Sequence, residues 1–263
     1  LQEQVVDEYL SEKEQIEKLR NWWSDNGSWV IAGIVLGVAL LVGWNAWQGY
    51  VIRRAEDALY HWLSQRAPRL TDVHDQASLR EHRRGVMRSN PGIAHDLTAV
   101  RRGSLAALLP RFGYDPALSH QALEVFLAHR NRVEPFPDVA PALRALAPSY
   151  RLVSITNGNS DVARTPLRGL FHLSLTAADV GAAKPDPALF LSALRWAGLN
   201  PSRAIHLGDH PHLDVQAARD VGMRAIWVNR DSRAWPAGLA PPIAEVADMR
   251  GLQSWLQGAA GAL

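Results

Sequence analysis

The pattern of hydrophobic and polar positions changes period three times along this chain. Across residues 2–20, Glu, Gln, Lys and Leu dominate without Gly or Pro, and Val6, Leu10 and Ile16 are isolated apolar anchors. That composition predicts a polar, solvent-facing helix. From Trp29 to Trp47 the chain is almost wholly apolar, and no charged residue lies between Asp25 and Arg53. At about 1.5 Å per residue such a run reaches roughly 30 Å, the thickness of a bilayer's hydrocarbon core. Trp22, Trp23 and Trp29 flank one end and Trp44 and Trp47 the other, where indole rings favour the two interfaces. Residues 29–48 are therefore expected to form a transmembrane helix. A signal peptide would begin with basic residues and end at a small-residue cleavage site, and a soluble core helix would keep a polar stripe. This segment does neither.

Beyond the apolar run, amphipathic stretches predict helices at 55–63, 76–89, 97–109 and 116–130, punctuated by Ala67-Pro68, Asn90-Pro91-Gly92 and the turn from Phe112 to Pro116. From Asp138 the pattern alternates. Helices are expected at 139–146, 187–197 and 215–221, and short strands at 152–155, 173–175, 204–207 and 225–228. Strands that alternate with helices predict a parallel sheet covered on both faces, the layout of a Rossmann-like α/β fold.

Composition sharpens this picture in two places. The chain has no cysteine, which excludes disulfides, thiolate metal sites and cysteine nucleophiles. Its 263 residues carry a formal charge of only +2, so no nucleic-acid-binding face is declared and no nucleic-acid partner is expected. The charge is segregated, however. Residues 1–28 hold seven acids against three bases, which leaves the remainder with an excess of six bases. Bases near the two ends of the apolar run are balanced, three on each side, so the positive-inside rule does not orient it.

Ligands of a parallel α/β sheet bind beyond the carboxyl ends of its strands, and three polar clusters fall there. The first, Ser154-Ile155-Thr156-Asn157-Gly158-Asn159, offers a hydroxyl and the N–H groups of a small-residue turn to phosphate oxygens, or is an ordinary strand-to-helix turn. The second is Lys184-Pro185-Asp186-Pro187. Pro187 suits a first helical position and Asp186 an N-cap, whereas Lys184 has no capping role and can neutralise phosphate or carboxylate charge. The third runs from His206 to Asp214. Gly208 permits a tight turn, and Asp209 with Asp214 supplies oxygen donors of the kind Mg²⁺ prefers. His206, His210 and His212 suggest zinc less well, since no further ligand lies at metal-site spacing; surface or packing roles are expected for them.

The order of these clusters on strand ends resembles motifs II, III and IV of the haloacid dehalogenase superfamily. On that resemblance Thr156 matches the motif II hydroxyl, Lys184 the motif III lysine, and Asp209 and Asp214 the motif IV acids. Phe136-Pro137-Asp138-Val139 resembles the return from a helical cap into the core, and Ile93-Ala94-His95-Asp96-Leu97-Thr98 is similar to the flavin- and riboflavin-precursor phosphatase branch. The resemblance implies a helical cap at 52–134, a haloacid dehalogenase-like core at 135–263, and a Mg²⁺-dependent phosphatase of small phosphorylated metabolites. Thr156 and Lys184 would be its catalytic groups, Thr156, Asn157, Gly158 and Lys184 its phosphate ligands, and Asp209 and Asp214 its metal ligands.

The family's first motif, a strand followed by Asp-x-Asp-x-Thr, supplies the nucleophile. No Asp-x-Asp occurs ahead of the cap, and Glu56 and Asp57 lie in a helical stretch matching the first cap helix. The expected architecture is thus a Rossmann-like sheet with its first strand missing, a helical cap and an N-terminal transmembrane helix, with activity weak or lost. The first fifty residues resemble instead the N-terminal anchor of the bacterial ancillary Sec-translocon subunit family, through the Trp22-Trp23 pair and Gly43-Trp44-Asn45-Ala46-Trp47-Gln48. That likeness implies a single-pass inner-membrane protein in contact with the Sec translocon. Either a genuine fusion or a chimeric reading frame would join the two parts near Gly49 to Val51.

Overall fold

A computed structural model describes residues 51–259. The expected acidic helix at 1–28 and transmembrane helix at 29–48 lie outside the described residues. Among those described, no helix is long and apolar enough to cross a membrane. The chain divides into two units between Gln48 and Gly49, and the second contains all the described residues.

A block of helices comes first. Helix α1 covers 51–66, followed by α2 (Pro68–Thr71), α3 (Gln76–Ser89), α4 (Leu97–Leu108) and α5 (Leu118–Arg130). Asp75 caps α3 by accepting the Ser78 N–H, and Asp96 caps α4 by accepting those of Thr98 and Ala99. The predicted start of α5 at Pro116 falls two residues early, because Asp115 accepts the Ala117 N–H and holds Pro116 in the preceding turn. Apolar positions of these helices converge on one core of Ala55, Leu59, Leu63, Leu105, Leu108 and Phe126. Beside it Glu56 is buried with Arg101, whose two terminal nitrogens donate to the carboxylate at 3.0 and 3.1 Å, and Arg83 adds a third contact at 3.1 Å. Glu56 is thus a structural acid of the cap.

Helix α6 (Val139–Leu146) opens the α/β part, and β1 (Val153–Thr156), β2 (Leu173–Thr176), α7 (Ala177–Val180), α8 (Ala188–Ala197) and β3 (Ile205–Gly208) follow. A π-helical turn at Pro211–Gln216 leads into α9 (Ala217–Asp220), and β4 (Arg224–Val228), β5 (Ala244–Val246) and α10 (Met249–Ala259) complete the described chain. All strand pairs are parallel. Alternation along β4 feeds both faces of the sheet. Ala225 and Trp227 pack with Phe190 of α8 and Ala218 of α9, whereas Ile226 packs with Val246, Leu252 of α10 and Leu146 of α6.

Among the described residues the strands make two pieces, β1-β2 and β3-β4-β5, with no hydrogen-bonded pairing between β1 and β3. The four residues of each of these two strands are only partly buried, while the central three of β4 are buried.

Candidate functional site

The three polar clusters meet where β1, β2 and β3 end. Thr156 closes β1, and its Oγ1 accepts the Gly158 N–H at 2.9 Å, which shapes the turn and leaves the hydroxyl proton free to donate to a ligand oxygen. Asn157 departs from its expected role. Its Oδ1 accepts the Lys184 N–H at 2.7 Å and its Nδ2 donates to the Lys184 carbonyl at 2.9 Å. The side-chain amide thereby fills both main-chain positions of Lys184 and has little left for phosphate. Asn157 is a positioning residue that ties the first cluster to the second.

Lys184, so fixed, directs its Nζ to Asp214 Oδ1 at 2.5 Å. Both side chains are about nine-tenths buried, and His206 Nε2 lies 3.4 Å from the same oxygen. The other oxygen, Oδ2, accepts the His210 N–H at 3.0 Å. Burial alone would raise the Asp214 carboxyl, but the hydrogen bond from His206 and the charge of Lys184 outweigh it and hold the group well below the usual carboxylate range. The turn that delivers Asp214 depends on Gly208. A Cβ there would stand 2.1 Å from the Asp214 Cβ and 2.4 Å from its Cγ, a collision with atoms close to the main chain.

Asp209 is the other half of the predicted acidic pair, and it is placed differently. Its carbonyl is anchored twice, by Trp227 Nε1 and Arg233 Nη2, each at 3.0 Å. Its residue is exposed, and its carboxylate makes no ion pair among the described residues. Asp209 is therefore the exposed acid of the pair, while Asp214 is committed to Lys184. Among the described residues no three carboxylate or histidine side chains converge to hold a metal ion. Asp209 and Asp214 alone do not complete a Mg²⁺ site.

His206 takes the packing role expected of it and also joins this cluster. It packs edge-on against Phe190, with ring centroids 5.1 Å apart, and reaches Asp214 at the same time. Its alternation with Gly208 along β3, two positions apart on one face, was the available signal. The predicted N-cap at Asp186 is shifted by one residue: Pro187 takes the cap position, and Asp186 Oδ1 accepts the Ala188 N–H at 2.9 Å. The cap reaches the same region. Asn159 Nδ2 donates to Thr98 Oγ1 at 3.3 Å, and Asn131 Oδ1 accepts the Asp161 N–H at 2.9 Å.

Comparison with known proteins accords with this geometry. A family model described as haloacid dehalogenase-like hydrolase matches residues 41–222, and its match begins inside the expected membrane span. A phosphoserine phosphatase of Thermus thermophilus is 35% identical over 54% of this chain and 59% of its own length. A glyceraldehyde 3-phosphate phosphatase of Methanopyrus kandleri is 30% identical over 47% and 57%. The chain thus spans less than two thirds of either relative. A 5-amino-6-(5-phospho-D-ribitylamino)uracil phosphatase of Escherichia coli is 27% identical over 78% of this chain and 88% of its own. The crystal structure of a 2-haloacid dehalogenase from Pseudomonas syringae superposes with a TM-score of 0.75 at 41% identity, covering 79% of this chain and 91% of that one. On the match of a family model to well over half of its length, with the fold and the strand-end site to go with it, this chain belongs to the haloacid dehalogenase-like hydrolases.

Proposed function

We propose that residues 51–259 carry the phosphate-binding and charge-stabilising part of a phosphomonoesterase site for small phosphorylated metabolites, and that this chain turns over slowly or not at all. The observation that carries the reading is the joining of the Thr156 turn to Lys184 through Asn157, and of Lys184 to Asp214. It puts a buried ammonium and a hydroxyl donor on two joined loops at the end of a parallel sheet, an arrangement suited to a phosphoryl group.

In this reading Thr156 donates its hydroxyl proton to a phosphoryl oxygen, and the backbone N–H groups of Asn157 and Asn159 complete the cradle, that of Gly158 being taken by Thr156 Oγ1. Lys184 offsets the negative charge that gathers on the transferring group. Asp214 holds the ammonium in place and, being ionised, keeps it charged. Mg²⁺, when bound, would add further charge neutralisation, and Asp209 would be one of its ligands. The attacking carboxylate is the absent part, because no Asp-x-Asp precedes the cap.

Purified protein should release little phosphate from p-nitrophenyl phosphate or flavin mononucleotide with Mg²⁺ present. Robust hydrolysis that disappears in Asp209→Asn would overturn the claim of slow turnover while retaining the site. Halide release from 2-chloropropionate would move the chemistry to that of the Pseudomonas relative.

The uncharged run from Trp29 to Trp47, with its flanking tryptophans, favours a second reading for the N-terminal part: a single-pass inner-membrane anchor in contact with the Sec translocon. Retention in membranes after alkaline carbonate washing, and co-purification with translocon subunits that survives removal of residue 51 onward, are the results this reading requires.

A further inference from the structure

Arg130 closes α5, and its guanidinium reaches the turn that follows β1. The point where a side chain at Gly158 would begin lies 3.2 Å from Thr156 Oγ1 and 3.9 Å from Arg130 Nη2. No other heavy atom comes within 4 Å of it, the glycine and its chain neighbours aside. Gly158 therefore leaves an open space with a hydroxyl on one side and a guanidinium on the other. Asn131, the next residue, is buried and fixes this arrangement. Its Oδ1 accepts the Asp161 N–H at 2.9 Å and ties the end of α5 to the segment just past the turn.

An arginine in the last turn of a helix ordinarily reaches a free carbonyl or a carboxylate. Arg130 does neither. Its side chain is partly buried, and its guanidinium makes no hydrogen bond, ion pair or ring contact among the described residues. Burial draws its pKa below the ordinary arginine value, and no carboxylate acts against that. Its nearest charged neighbours add to the excess, because the charge of Arg130 acts on Arg101, which with Arg83 sets two guanidiniums against the single carboxylate of Glu56. Taking unpaired donors partly out of water costs free energy, and a ligand that accepts from them recovers it.

The proposed phosphate site is short of the same charge. Lys184 is offset by Asp214, and Asp209 adds a second carboxylate, so with His206 neutral these side chains are net negative. A phosphate group needs positive charge that they do not supply. We infer that Arg130 is an anion-binding residue of this site, donating from its guanidinium to a phosphoryl oxygen held at the Thr156 turn. The inference rests on the phosphate site proposed above and adds the uncompensated cation that the site otherwise lacks.

Calorimetric titration of the full chain with inorganic phosphate, Mg²⁺ present, tests this. Arg130→Gln should weaken phosphate binding about tenfold or more. Arg130→Lys keeps the charge and loses the planar fork, so it should weaken binding by less. Because the guanidinium has no protein partner to lose, the urea midpoint of phosphate-free Arg130→Gln should equal or exceed that of the parent chain. Phosphate bound equally well by Arg130→Gln and the parent would overturn this inference alone. Weaker binding together with a lowered urea midpoint would make Arg130 a structural residue and overturn it too. Failure of the parent chain to bind phosphate would overturn the phosphate site and the inference with it.

Discussion

Asp214 shows how much a single side chain carries here. One oxygen receives a lysine and a histidine and the other a main-chain N–H, while Gly208 leaves the space that its carbon atoms occupy. Because the folded carboxyl is held below its ordinary value of about 3.9, its contribution to stability is complete above that value and is lost as pH falls through it toward the folded value. Asp214→Asn should remove that acid-dependent loss and leave the Lys184 ammonium buried without a counter-charge, at a cost of roughly 3–5 kcal/mol. Urea unfolding of both proteins between pH 3 and pH 7 would show it. Equal stability at pH 7 would contradict the assignment. The placing of Thr156, Lys184, Asp209 and Asp214 in the turns that follow the strands was legible in the sequence, through the alternating pattern and the resemblance to motifs II, III and IV. The division of labour between the two acids was not, since the partner of Asp214 lies thirty residues away and only the fold brings it near.

At the scale of elements, the cap is fastened from inside by ions as well as by leucines. Glu56 on α1 accepts from Arg101 on α4 and Arg83 on α3, and Arg101 also lies over the Phe126 ring, 3.4 Å from its centroid. Burial tends to raise the Glu56 carboxyl, but Arg101 and Arg83 prevail and hold it below its usual range. Glu56→Gln keeps the shape and removes the charge, so it should destabilise the protein by roughly 3–5 kcal/mol. A fall of less than about 1 kcal/mol in thermal or urea unfolding would mean that the pair is dispensable. Periodicity located α3 and α6 as they are found, because both are bounded by strong turn residues. It missed β5 and α10. Three strand residues after two prolines carry too little alternation to read, and α10 contains two glycines, which weaken a helical pattern.

Across the whole molecule, the sheet in two pieces separates the two halves of the site. Thr156 stands on the β1-β2 piece, Gly208 and the acids belong to the β3-β4-β5 piece, and contacts from the loop residues Asn157, Lys184 and Asp214 connect them. Backbone groups along the edge of β1 away from β2 and the edge of β3 away from β4 have no strand partner among the described residues, and the Ser154 hydroxyl of β1 is buried without a hydrogen bond. Amide hydrogen exchange should therefore be about tenfold faster or more in β1 and β3 than in β4. Equal protection across the three would show the sheet to be continuous. Sequence alternation predicted these strands to within a residue or two, but a strand pattern does not state which neighbour a strand pairs with.

The contacts of Asp138 bear on how such a chain is made. At the point where the cap gives way to the core, its Oδ2 accepts from Arg230 at 2.7 Å and from the Met249 N–H at 2.8 Å. During synthesis Asp138 leaves the ribosome more than a hundred residues ahead of Met249. The cap, whose core is drawn from 55–126, has all of its apolar partners early and can consolidate while translation continues. The core must wait, with a carboxylate already in place for a helix that has yet to emerge.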